Sequence, residues 1–474
     1  MKKIITTLGC IVALCLHAQT VTTDNTFGTN GISVLSHQTN GNSVINSIVQ
    51  TDGKIVVTGM RINGANNEEV FTARFNANGT LDTTFANSGY FTSYQDPNAY
   101  SANLYLNGNK ILIFYPEQGV MIKFNNDGSI DNSFGTNGMI TLASTSYQTK
   151  DVLIGNYLYA VKNVSSQVIL DKIDINSGSV ISSSTISGLT QSRGVYSGPN
   201  GKLIVKSTNY QSLTTSITLV DTDGNLDTAF GTNGSMVVSS VGSLNELEHT
   251  YDYISTDDAQ NIIYALSNDN AFTVTFKKYS SNGSLATGFA NNGSYVLANA
   301  IISGLKTLSN QIYFSGLSLE GGTANLLLGR LNSDGTLDNS FDNDGIYIYN
   351  TNASSEWAES FNILSPSSII VAGEISGTNN DIYVGKFDVT PDLAVSEVDS
   401  KESIWFENPL RSNFVYKTKE KISVIELYSA EGKLIKTIKE NNQNITELLK
   451  GVYVAKIKFE NGNIVTKKLI KNYL

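Results

Sequence analysis

The sequence predicts an all-β protein, a seven-bladed β-propeller followed by a small C-terminal immunoglobulin-like β-sandwich. Three observations carry that expectation. One glycine-rich turn recurs along the chain, short β-branched runs recur once per period, and the last residues reverse the charge of everything before them.

The turn is clearest in IDNSFGTNGMITL (130–142). It aligns with DNTFGTNGISVL (24–35), LDTTFANSGYFT (81–92), LDTAFGTNGSMV (226–237), LATGFANNGSYV (285–296) and LDNSFDNDGIYI (337–348). The anchors Phe27, Phe85, Phe134, Phe230, Phe289 and Phe341 are separated by 58, 49, 96, 59 and 52 residues, so the long gap spans two periods. A decayed copy, INSGSVISSSTISG (175–188), fits inside it without a gap. Gly178 matches Gly128 and Gly188 matches Gly138, while Ile181 and Ser184 replace the aspartate and phenylalanine.

Two further elements recur. Apolar runs follow a turn in GKIVVTG (53–59), GNKILIF (108–114), GNYLYAV (155–161), GKLIVKS (201–207), QNIIYAL (260–266), SNQIYFS (309–315) and SSIIVAG (367–373). Alternating strands run into Asn-Gly or Asp-Gly turns in FTARFNANG (71–79) and NLLLGRLNSDG (325–335). Such runs between such turns read as antiparallel hairpins. About four strands per roughly 50 residues matches a propeller blade. An open β-solenoid is the alternative, although its coils are normally shorter.

The repeated turn offers oxygen ligands, and VDTDGNLD (220–227) is the most acidic copy. Asp221, Asp223, Asn225 and Asp227 alternate there as a calcium candidate, since calcium favours clustered oxygens. An EF-hand loop does not fit, because the glycine falls too early and no glutamate closes the site. Comparison of copies favours geometry over binding. Acidic residues vary, whereas Asn/Asp-Gly persists, and such residues satisfy tight turns through positive φ and local hydrogen bonds. The recurring phenylalanine is expected to be a peg between blades. No obligatory cofactor is indicated.

Residues 1–19, MKKIITTLGCIVALCLHAQ, read as a signal peptide: Lys2 and Lys3, an apolar stretch from Ile4 to Leu16, and Ala18 near a cleavage point. Both cysteines, Cys10 and Cys15, lie within it, so the mature chain has neither disulfides nor thiolate metal sites. No later stretch is long and apolar enough to span a bilayer as a helix. Residues 400–474 carry 14 Lys+Arg against 8 Asp+Glu, while the part between leader and tail carries 16 against 34. So acidic a body repels nucleic-acid backbones, and no nucleic-acid partner is expected.

LDxxFGxxG at this period, preceded by a DG-type turn and GKIxVxG, resembles the delta-60 repeat, a β-propeller family of exported bacterial proteins. The resemblance covers about residues 20–392, implies a propeller and brings no catalytic residues with it. After a linker at 393–404, which follows Pro391, residues 405–474 resemble the type A sorting domain of the type IX secretion system. The matching residues lie in ENP (Glu407–Pro409), EGKLI (Glu431–Ile435), LLKGVYVAKI (Leu448–Ile457) and KKLIK (Lys467–Lys471). The sorting-motif positions are thus Asn408, Pro409, Gly432, Gly451, Tyr453, Lys467, Lys468 and Lys471. Phe406-Glu407-Asn408-Pro409 departs from the family's usual Tyr-Pro-Asn-Pro start. The resemblance implies the secretion machinery as partner, delivery across the outer membrane, then tail removal and release or surface attachment.

A catalytic set is not visible. The mature chain has two isolated histidines, His37 and His249, and neither HExxH nor GxSxG occurs. Carboxylate pairs across a propeller face are compatible with the composition. Trp357, in SSEWAES, is the one tryptophan before the tail and reads as blade packing. Two functions follow. The favoured one is an exported, non-enzymatic propeller that binds an extracellular glycan or protein, or mediates adhesion. The alternative is a polysaccharide hydrolase or lyase using face carboxylates, expected to show two facing acids beside an aromatic in the central funnel.

Overall fold

A computed structural model describes residues 19–35, 43–62, 68–94, 101–142, 147–350, 355–376, 381–391, 404–408, 410–418, 420–429, 432–460 and 464–471. Residues 1–18 of the leader, 393–403 of the linker, His37 and Pro409 lie outside them. Two compact units appear, Gln19–Thr390 and a C-terminal unit beginning at Pro391.

The larger unit is a seven-bladed propeller of antiparallel sheets. The first strands of blades 1 to 7 are Ser43–Val49, Asn103–Asn107, Val152–Ile154, Gly194–Ser197, Thr250–Thr256, Ala300–Leu308 and Glu356–Ser365. Each pairs with a second strand of near-continuous apolar residues, such as Ile55–Ile62, buried against both neighbouring blades. First strands contact those of neighbouring blades, including blade 7 against blade 1, so the ring closes around an axial channel. Closure is non-covalent. Blade 7 takes three strands from residues 356–391 and is completed by Gln19–Thr23 and Ile32–Leu35, with Ile32 to Leu35 antiparallel to Gly385 to Ile382. Gln19, assigned to the leader on sequence, is the first residue of this closure. Its N–H donates to Ser340 O at 2.5 Å, and its Oε1 accepts from Arg330 at 2.7 Å.

Between blades the repeated turn acts as a packing device. Phe85 is fully buried and lies under Gly128 of the next blade, where a Cβ would overlap the ring. The Arg74 guanidinium sits 4.4 Å over that ring and bonds Asp82 Oδ2 at 2.9 Å, while Lys54 bonds the same oxygen at 2.7 Å. Asp82 Oδ1 accepts from Thr84 Oγ1 at 2.6 Å and closes the turn. The unit recurs with Asp131 paired to Lys110 beside Phe134, Asp338 to Arg330 beside Phe341, and Asp24 to Lys386 beside Phe27. Phe27, Phe134, Phe230, Phe289 and Phe341 are all buried pegs. Lys386 and the Thr26 hydroxyl hold the Asp24 carboxyl down to about 2, which marks a structural ion pair. Blade 3 lacks the peg, and Ser184 faces Gly224 where the other seams place a ring.

The smaller unit has its own core, built from Phe406, Leu410, Phe414, Leu427, Ile457 and Phe459 among others. A four-stranded sheet, in the order Leu434–Ile438, Ile422–Ser429, Gly451–Phe459 and Ile464–Lys471, packs with two short two-stranded ladders. Among the described residues, no helix is long and apolar enough to cross a membrane.

Candidate functional site

The channel has two unlike halves. Where the first strands end, short polar side chains stitch neighbouring blades together. Ser255 Oγ meets Thr307 Oγ1 at 3.0 Å, Ser47 Oγ meets Ser360 Oγ at 2.8 Å, and Asn362 Nδ2 donates to Ser47 O at 3.2 Å. These groups are consumed in closing the ring.

Where the first strands begin, carboxylates and aromatics gather. Glu359 is the extra residue of a β-bulge, since Ala358 pairs with Gly373 and Ser360 with Ala372. Equivalent bulges place Ile45 in blade 1 opposite Gly59 and Ser303 in blade 6 opposite Gly316. In each case a Cβ on the facing glycine would overlap a first-strand carbonyl, that of Ser43, Ile301 or Trp357. At the equivalent register blades 2 to 5 carry Tyr115, Lys162, Ser207 and Leu266; blades 2, 4 and 5 pair their first two strands without a bulge, whereas blade 3 shifts register between Val152↔Tyr159 and Tyr147↔Lys162. The glycine therefore permits the bulge, and the bulge turns Glu359 out of the ladder.

Trp357 Nε1 donates to Glu359 Oε1 at 2.8 Å. Trp357 is the cross-strand partner of Glu374, so the three side chains share one part of blade 7. Burial raises Glu359, and burial with the Glu359 charge pushes Glu374 up to about 7; Val44 N–H donates to Glu374 at 3.1 Å. The Tyr253 hydroxyl of blade 5 is raised by burial and then by the Glu359 charge, so the two are within electrostatic reach. Next to Tyr253, Asp252 accepts from Lys206 at 2.9 Å and from the Tyr264 hydroxyl. Asp151 lies further along, level with Ser47 by strand register; it is bonded by Tyr105 and by Asn103 at 3.1 Å and is pushed by burial to about 8. Near the start of the first strands, blades 5 and 7 thus combine the aromatic rings of Trp357 and Tyr253 with the carboxylates of Asp252, Glu359 and Glu374.

Asp221 caps its own turn, accepting from Asp223 N, Asn225 N and Asn225 Nδ2, each at 2.9 Å. Asp227 is bonded to Lys202 at 2.6 Å. Among the described residues no three His, Cys, Asp or Glu side chains gather as a metal site requires. His249, which directly precedes the first strand of blade 5, is partly exposed, with its Nδ1 2.8 Å from Asp269.

In the tail, Asn408 accepts from Ile470 N at 2.8 Å and donates to Lys468 O at 3.3 Å, pinning the ENP segment to the last strand. Gly432 takes φ +78° in a hairpin turn, Gly451 opens its strand, and Tyr453 is buried with its hydroxyl on Leu449 O at 2.8 Å. Lys471 is buried and donates to Arg411 O, whereas Lys467 is half-buried and Lys468 exposed. The sorting-motif residues are therefore mostly framework, and Lys468 is the motif lysine that faces solvent.

Fold and tail together define a propeller repeat protein equipped for export. Family comparison agrees. A model described as a domain of unknown function (DUF5122) beta-propeller matches residues 50–85 and 309–341, and a secretion system C-terminal sorting domain model matches residues 406–472. The chain is a delta-60-type β-propeller protein with a sorting domain of the type IX secretion system, exported across the outer membrane to the cell surface or medium. No curated protein matches it. Similar solved structures include the polysaccharide lyase Uly1 (9% identity, TM-score 0.44, 76% of this chain and 93% of the other). The Dos1 propeller is similar at 9% identity and TM-score 0.43, over 75% and 95% of the two chains. Kluyveromyces lactis Hsv2 follows at 9% identity and TM-score 0.39, over 74% and 100%. At these values none transfers a function.

Proposed function

We propose that the exported propeller is a non-catalytic binding module that takes an extracellular glycan at the start of its first strands. The observation that supports this is the Trp357–Glu359 pair beside Glu374, with Tyr253 within electrostatic reach of Glu359. Aromatic faces pack against sugar rings while carboxylates and hydroxyls accept and donate to sugar hydroxyls, the mixture expected of a polar ligand site. The tail supplies delivery. Its core shares no residue with those of the propeller, so Gln19–Thr390 is a self-contained unit that can be studied alone.

A second reading, hydrolysis or lysis of an extracellular polysaccharide, is favoured by one feature. Glu374 is raised to about 7 beside Glu359, which burial also raises, and a carboxyl near 7 is in the range a general acid or base uses. Screening residues 19–390 on a glycan array, with product analysis of every ligand bound, separates the two. Binding without shortened or unsaturated products supports the module, and turnover of any polymer sinks it.

A further inference from the structure

We propose that the seam between blades 3 and 4 is a second ligand site, a cleft for an uncharged oligosaccharide, independent of the channel mouth. Each other seam keeps the phenylalanine peg, and most add a bulky third-strand residue; blades 3 and 5 carry half-buried Ile169 and Thr275 there. Counting from the strand pairing, one position on the third strand faces the preceding blade; it is Phe71 in blade 1, Val120 in blade 2, Leu327 in blade 6 and Tyr383 in blade 7, each buried in a seam core. In blade 4 the same position, opposite Ser207, is Ser216. The peg is missing from this seam too, because blade 3 carries Ser184 where other blades carry phenylalanine. Two losses of bulk thus fall on one seam: at the peg position the Gly224 turn closes on Ser184, and beside Ser216 lies a cleft of about 610 Å³, within the usual range of small-ligand sites.

The lining is selective. It runs from Gly188–Gln191 of blade 3 across Ser207–Gln211, Thr214, Ser216, Thr218 and Ser235 of blade 4, and contains no charged side chain. In an acidic protein, with a formal net charge of -10, that neutrality singles out a ligand read by hydroxyls and amides. Register sets the donors in facing pairs, Ser207 beside Ser216 and Asn209 beside Thr214, with Thr218 Oγ1 and Ser235 Oγ 2.7 Å apart further down. At the rim Tyr210 is 41% exposed, its ring held 5.2 Å from the Arg193 guanidinium, which also bonds the phenol oxygen. An immobilised ring above a field of neutral hydroxyls and amides offers a sugar both a stacking platform and hydrogen bonds. A phosphate or uronate would find no cation in the lining, and an apolar ligand would strand its hydroxyls.

The test uses residues 19–390 with neutral laminari-, cello- and malto-hexasaccharides, and an alginate hexasaccharide as the charged comparison, followed by saturation-transfer NMR and titration. At least one neutral hexasaccharide is expected to bind, and alginate not to bind at this cleft. Ser216→Phe restores the bulk that other seams carry and is expected to weaken that binding at least about tenfold while leaving Trp357 emission unchanged. Tyr210→Ala, at the exposed rim, is expected to weaken it comparably and keeps the test open should the first variant misfold. Failure of all neutral probes, or binding indifferent to both substitutions, overturns the cleft. Binding that instead perturbs Trp357 would overturn it in favour of the channel mouth, so the two sites fail separately.

Discussion

Removal of one peg tests the packing account, and Phe85→Ala is the substitution to make. Phe85 is fully buried, the Gly128 turn of blade 2 covers its ring, and Arg74 lies 4.4 Å above it. Truncating a buried phenylalanine costs about 3–5 kcal/mol through lost transfer energy and the cavity left behind. Loss of the cation–ring contact adds about 1 kcal/mol, although Arg74 keeps its bond to Asp82. The sum of about 4–6 kcal/mol should lower Tm of the isolated propeller by roughly 8–12 °C, at about 2 °C per kcal/mol for a chain of this size. Ser184→Ala, at the pegless position of blade 3, is the control and should change stability by less than about 1 kcal/mol. Paired thermal and urea melts provide the assay. If Phe85→Ala costs no more than Ser184→Ala, the repeated phenylalanine is not a seam peg and the reading of the repeat is wrong.

Three further outcomes follow from the same structure. Gly373→Ala forces a Cβ into the Trp357 carbonyl and should cost about 1–3 kcal/mol; because the bulge then cannot persist, the Trp357 emission should shift, whereas Ser207→Ala in unbulged blade 4 should leave it unchanged. Glu374, raised to about 7 from 4.5, binds its proton more tightly folded than unfolded. Its contribution is therefore present below about pH 4.5 and lost as pH rises through 7, on the order of 3 kcal/mol; Glu374→Gln should stabilise the propeller at pH 8 and leave it little changed at pH 4, as read by melts at both. In the tail, Lys456, Lys458 and Lys468 are exposed and, by strand register, share one sheet face. Their triple replacement by glutamate should trap the protein inside the cell without lowering the melting temperature of the purified protein, and unchanged secretion would remove this face as the docking surface.

The blades could be read from sequence because the requirement repeats. Most seams pair a glycine at positive φ, as at Gly128, with a ring beneath it, and both residue types are conspicuous at fixed spacing. The copy at 24–35 was readable as a turn but not as the closing piece of blade 7, since its partner strand, Asp381–Pro391, lies at the far end of the propeller sequence. The mouth was not legible. Trp357 and Glu374 come from one blade and Tyr253 from another, and they carry no common spacing. Trp357 read as packing, yet it is half-buried and bonded to Glu359. A local signal existed for Glu359: Gly59, Gly316 and Gly373 end their second-strand runs where the bulges occur, and no other blade has glycine there. The acidic turn at 221–227 drew attention as oxygen ligands, while the structure shows Asp221 and Asp227 bonded to their own turn and to Lys202.

The central claim is that ligand sits where the first strands begin, and Trp357 reports on that place. It is the sole tryptophan of residues 19–390, because the other, Trp405, belongs to the tail. Titrating the isolated propeller with the best glycan from the array, while following tryptophan emission, is the most direct measurement. A saturable change in emission with the same midpoint as binding, weakened about tenfold or more by Glu359→Ala, is the predicted result. Tight binding that leaves Trp357 silent and ignores Glu359→Ala would contradict the account.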